Sequence, residues 1–207
     1  MGEISVFMAI VDFIPVVLFF IAAVILQRDL YSRLVKGAYS LLASGSIMVL
    51  TGGFFKALWK ILYALNVCDY VQLNQSFFVI QAPGYIFFFL GLLGLFYKPE
   101  KKGVKTYAVA PVVFTSTLPF IVLQVLGLGG AQIVLMISGF KKKNYFAPVC
   151  FVVSFICMLG MGYLGAKFDS SSKMHWLAQV TNTISMTAFL MGTVSLHKKG
   201  FEREEIR

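Results

Sequence analysis

The stretch "TYAVAPVVFTSTLPFIVLQVLGLGGAQIVLMISGF", residues 106–140, carries no charged side chain, and its reading decides how often the chain crosses a membrane. A helix spanning the hydrocarbon core takes roughly 17–25 mostly apolar residues, so the stretch is long for one crossing and short for two. Gly127, Gly129 and Gly130 offer a reversal near its middle, because glycine accepts the positive φ of a tight turn without steric cost. Read as a hairpin, it supplies spans at 106–126 and 129–143; read straight, it supplies one.

The remainder of the chain sets the context. Of its 207 residues, 58% are hydrophobic and 13% charged, against about a quarter charged in soluble domains. Apolar runs at 5–27, 38–66, 77–97, 145–166 and 175–196 each reach the length of a crossing. Glu3 is the only charged side chain before the first run, and no small-residue cleavage site follows it, so that run is expected to stay as a helix. Val6 stands where a myristoylation signal wants Ser or Thr, so no lipid anchor is expected. Cys68, Cys150 and Cys157 make no CxxC pair and no metal-ligand spacing, and read as small apolar fillers. Neither a metal nor a cofactor is expected.

Charge selects the hairpin. With seven spans, the connections at 28–36, 98–105, 141–143 and 197–207 all fall on one side, and they hold every Lys and Arg except Lys56, Lys60, Lys167 and Lys173. Basic segments resist translocation and stay cytoplasmic. A six-span chain would export the "KKK" run at 141–143. The expected fold is therefore an all-α integral membrane protein: one domain over 1–207, a seven-transmembrane-helix bundle with its N-terminus outside and a short basic cytoplasmic tail at 197–207. Basic cytoplasmic loops suit a bacterial-type plasma membrane. The +9 formal charge follows from topology and anionic inner-leaflet lipids, not from nucleic acid. Expected partners are the lipid bilayer, a small polar solute, and a second copy or partner membrane subunit.

Polar residues inside the spans carry the functional reading. At 1.5 Å per residue, Asp12 and Lys56 each fall roughly 6 Å to the outer side of their helix midpoints. An isolated intramembrane charge costs at least about 2.5–3.5 kcal/mol and normally faces the bundle interior with a partner. Asp12 and Lys56 are thus expected to pair, as a structural ion pair or a ligand site. Lys60, one turn further out, is expected to snorkel to the outer headgroups with Trp59 and Tyr63. Lys60, Tyr63, Gln81, Tyr85, Gln179 and Asn182 are expected to line a polar cavity in the outer half. Gln124 and Gln132 would flank the glycine hairpin at the outer surface. Pro15 and Pro83 each remove a backbone donor beside a polar residue and should loosen the helix there.

Several enzyme classes lack their parts. Asp12 is the only acid inside these spans, and no G-x-S-x-G, H-E-x-x-H or phosphate-cradling glycine loop occurs. The last span has no internal lysine for a retinal Schiff base. The reading leans away from catalysis. It points to a secondary transporter or facilitator of a small anionic or zwitterionic solute, with a seven-helix sensor or accessory subunit that binds without transport as the alternative.

Overall fold

The computed structural model describes residues 5–96, 118–166 and 172–203. All regular structure among them is helical: α1 (Val6–Val11), α2 (Phe13–Leu30), α3 (Lys36–Ala64), α4 (Val71–Leu93), α5 (Leu118–Lys141), α6 (Phe146–Ala166) and α7 (Ser172–Lys198). The chain is a multi-pass helical membrane protein.

Helices α1 and α2 are two halves of one rod, interrupted at Asp12. Pro15 explains the interruption: it has no N–H to give to the Val11 carbonyl, and its ring crowds that carbonyl. Helix α4, in contrast, runs unbroken through Pro83. Among the described residues five rods are long and apolar enough to cross a membrane, namely Val6–Leu30, Lys36–Ala64, Val71–Leu93, Leu118–Lys141 and Phe146–Leu164. At 27 residues α7 matches them in length but is rich in polar side chains, from Gln179 and Asn182 to Thr193 and Ser195. It packs against α6 on one side and α2 on another, and leaves Leu177, Val180, Ile184 and Met191 exposed at helical spacing. The outward faces of the rods are apolar. On α5, Val122, Leu126, Ile133, Ile137 and Phe140 form an exposed stripe at helical spacing, an arrangement suited to a lipid surround and not to water.

Neighbouring rods pack in sequence from α3 to α7, and α2 closes the ring by meeting both α7 and α3. Close approach of α3 and α4 depends on missing side chains. A Cβ on Gly45 or Gly91 would collide with the backbone of Phe88 or Leu42.

The hairpin expected at Gly127–Gly130 does not form. These residues lie in the middle of α5, which runs continuously from Leu118 to Lys141. Their smallness serves packing: a Cβ on Gly127 would sit 2.6 Å from the Tyr85 carbonyl carbon, and one on Gly130 would sit 2.7 Å from the Phe89 ring. Gly129 makes the same room for Phe155 of α6. The span expected at 129–143 is thus only the second half of a full-length helix. Of the span expected at 106–126, residues 118–126 belong to α5, and 106–117 lie outside the described residues.

Among the described residues the basic connections still gather at one end, whereas the connection expected at 98–105 lies outside them. Gln124 meets Gln81, Gly127 meets Tyr85, and Lys141 lies over the Phe96 ring, so α4 and α5 run parallel. Phe96 and Leu118 therefore stand at opposite ends of the bundle. This keeps Lys141–Lys143 at the end where α2 finishes and α3 begins, beside Arg28, Arg33 and Lys36. The end of α7 joins them through an Arg28–His197 contact of 2.9 Å.

Helices α3, α5 and α7 stop alike, with Asn66, Lys143 and Gly200 at positive φ. The N–H of each following residue returns to a carbonyl five positions back, from Val67 to Leu62, Asn144 to Gly139 and Phe201 to Leu196. These are Schellman closures. At the start of the basic tail expected at 197–207, α7 continues to Lys198 and Phe201 is fully buried, while 204–207 lie outside the described residues. Cys150 is buried as expected, whereas Cys68 is exposed and fills nothing.

The orientation makes a testable prediction. In intact cells native Cys68 should react with an impermeant maleimide, whereas Arg203→Cys in a Cys68→Ser background should react only after permeabilisation. Labelling of both positions from one face would contradict the orientation.

Candidate functional site

The Asp12 carboxylate points between helices, and the partner it finds is Lys60. The Lys60 ammonium lies 2.8 Å from Asp12 Oδ2, with both side chains nearly buried at 7% and 11% exposure. This corrects two expectations at once. Asp12 does not pair with Lys56, and Lys60 does not snorkel to headgroups. The reason is side-chain direction. Side chains lean toward the N-terminus of their own helix. On antiparallel rods the Lys60 chain leans inward as the Asp12 carboxylate leans outward, and the two meet although their Cα atoms differ in depth. Lys56 remains over the Phe77 ring, 4.3 Å from its centroid, a cation–π contact. It has no ion-pair partner among the described residues.

Around this pair lies a cavity of about 210 Å³, walled by residues from every rod of the ring. The structure brings together nearly all the expected site residues: Asp12, Lys56, Lys60, Gln81, Tyr85, Gln179 and Asn182 line it. Tyr63 does not. It packs against Trp59, with ring centroids 5.7 Å apart, while the Trp59 indole donates to Asp69.

The amides differ in what they do. Gln81 donates to the Val49 carbonyl and accepts from Gln124, tying α3, α4 and α5 together. That occupies Gln81 structurally, and it places Gln124 in the cavity wall, not on the outer surface. Gln132 is fully buried and donates to Ser154 at 2.6 Å, so it too is internal. Ser154 continues to Ser185, which lines the cavity. Gln179 stands apart. It is 3% exposed, yet neither its amide oxygen nor its nitrogen has a hydrogen-bond partner among the described residues. Leaving a buried polar group unpaired costs about 1–3 kcal/mol, so such a group calls for an explanation.

Below the cavity, toward the basic end, the middle of the ring is filled by aromatic rings. Phe19 contacts Tyr85, Phe88 and Phe189 at centroid distances of 6.2, 5.7 and 6.0 Å, and Phe151 meets Phe189 at 5.7 Å. This floor separates the cavity from a second polar region that sequence reasoning missed. His197 Nδ1 lies 2.9 Å from Asp29 Oδ1, and His197 Nε2 lies 2.9 Å from the Arg28 guanidinium. A neutral imidazole satisfies both neighbours by donating from Nδ1 and accepting at Nε2. Asp29 is 1% exposed. It escaped notice because the first span was expected to end at residue 27. Nearby, Arg33 donates to the Phe201 carbonyl and Lys142 to the Gly200 carbonyl, cations at the negative end of the α7 dipole. Asn144 and Ser195 exchange hydrogen bonds between the start of α6 and the end of α7.

No family model, curated protein or solved structure matches the chain. The chemistry of the site must therefore be taken from its own residues. Among the described residues the cavity brings together a buried ion pair, an ammonium outside that pair and an unpaired amide.

The pair yields a quantitative prediction. Breaking a buried pair by removing one partner typically costs about 3–5 kcal/mol, and removing both costs less than the two losses together. Asp12→Asn and Lys60→Met should each lower the unfolding midpoint in detergent, with the double variant clearly less affected than additivity requires. A cycle of Asp12→Asn with Lys56→Met should show weaker coupling. Stronger coupling to Lys56 would contradict the assignment of the pair.

Proposed function

We propose that this protein is a secondary transporter or facilitator of a small anionic or zwitterionic solute. Its chain would cross the membrane seven times with the basic end cytoplasmic. The observation that carries the reading is the cavity itself, walled by every rod and lined by both the unpartnered Gln179 and the Lys56 ammonium. Two further features support it. The cavity lies in the half of the ring away from the basic connections. The aromatic floor then closes the path to the other side, as a state loaded from one face requires. The junction of α1 and α2 at Asp12 lies next to the cavity.

Under this reading a solute enters from outside and meets Lys56 and Gln179 in the cavity wall. Passage onward requires the Phe19–Phe88–Phe189 rings to part and the Arg28–His197–Asp29 contacts to loosen. Liposomes containing only this protein should take up radiolabelled small carboxylates or amino acids faster than empty liposomes. Lys56→Gln should lower that uptake at least about tenfold, since it removes the charge that meets the solute. Saturable binding without any uptake would favour the sensor or accessory-subunit reading instead.

A further inference from the structure

The charge balance of the cavity narrows its ligand. Among the described residues, the charged side chains lining it are Asp12, Lys56 and Lys60. Asp12 and Lys60 neutralise one another at 2.8 Å, so Lys56 leaves the cavity with one positive charge in excess. In a site walled by membrane helices such a charge is costly until a counter-charge joins it. A monoanion brings the balance to zero. A zwitterion leaves the excess in place, and a dianion overshoots it.

Gln179 adds a second requirement. Both ends of its amide are unpartnered, so the need is the same whichever way the amide is turned. Its N–H groups need an acceptor and its oxygen needs a donor. A bare carboxylate provides only acceptors. A ligand that also carries a hydroxyl satisfies both. The cavity volume of about 210 Å³ lies below the roughly 300–1,000 Å³ of sites for drug-sized ligands, which favours a small ligand.

We infer that the cavity binds a small hydroxylated monocarboxylate, with its carboxylate on Lys56 and its hydroxyl donating to the Gln179 side-chain oxygen. This deepens the solute-cavity reading and rests on it, but it does not require transport. A phosphodiester headgroup carries the same single negative charge. The enclosure of the cavity by every rod favours a free solute over a lipid.

The test uses the full chain in phosphatidylcholine nanodiscs at neutral pH, with titration calorimetry against lactate, propionate, lactamide and alanine. Lactate should bind saturably. Propionate, which lacks the hydroxyl, should bind at least about tenfold more weakly because it leaves the Gln179 oxygen unpaired. Neutral lactamide and zwitterionic alanine should be weaker than lactate by at least about the same factor. Lys56→Gln should lose lactate binding, whereas Gln179→Leu should bind lactate and propionate alike. Elution profile and melting temperature report whether each variant is folded, and if Lys56→Gln fails to fold, Gln179→Leu carries the test. Alanine or lactamide binding as tightly as lactate would overturn the proposal, as would absence of saturable binding by both carboxylates. Loss of lactate binding on adding phosphatidylglycerol would assign the charge to a headgroup and overturn it too. Lactate binding without flux in liposomes would leave the proposal standing and remove only transport. Alanine flux indifferent to lactate would do the reverse.

Discussion

An ammonium inside a membrane bundle is stable only where a counter-charge meets it, and the contact between Lys60 and Asp12 is how this chain meets that demand. Much else follows from that contact. It ties the interrupted first rod to α3 at the point where Pro15 weakens the backbone. It uses the only carboxylate in the cavity wall among the described residues and leaves Lys56 without an ion-pair partner there. Had Lys56 taken the aspartate, Lys60 could have reached outer headgroups and the cavity would have been neutral. The identity of the paired lysine therefore sets the electrostatics of the whole site.

Helix α7 shows how one polar helix can be accommodated in an apolar bundle. Near the basic end its polar groups are fully engaged: Ser195 with Asn144, His197 with Asp29 and Arg28, and the terminal carbonyls with Arg33 and Lys142. Midway, Ser185 returns a hydrogen bond to the Ser154 carbonyl, and Thr193 bonds its own backbone at Phe189. Only toward the cavity does pairing lapse, at Gln179 and at Thr183. Phe189 sits between the two regimes and belongs to the aromatic floor. Along a single helix, the structure passes from a tightly bonded base to an apolar plug and then to a wall with unspent hydrogen-bonding capacity.

The glycines of α5 show why local pattern and tertiary role diverge. A glycine cluster between two apolar runs has the same composition whether it reverses the chain or lets two helices touch, because both uses depend on the missing Cβ. Which use applies depends on Tyr85, Phe89 and Phe155, far away in sequence. Asp29 shows a related difficulty. A carboxylate at the end of an apolar run reads as a loop residue unless His197, distant along the chain, is known to lie beside it.

Composition and periodicity report the medium each side chain meets, so the sequence alone determined that this is a multi-pass helical membrane protein. It also determined that the basic connections among the described residues gather at one end, and that Asp12, Lys56, Lys60, Gln81, Tyr85, Gln179 and Asn182 turn toward a common interior. These properties follow from the cost of exposing polar groups to lipid, which each residue carries wherever its neighbours lie. Partner choice follows from register and side-chain direction between rods distant in sequence. Tertiary structure alone decided that Lys60 takes the aspartate and Lys56 does not, that Gln81 and Gln124 bond each other, and that Gln179 is left unpaired. A difference of one helical turn separates the alternatives at the lysines, and only the packing of antiparallel helices fixes that turn.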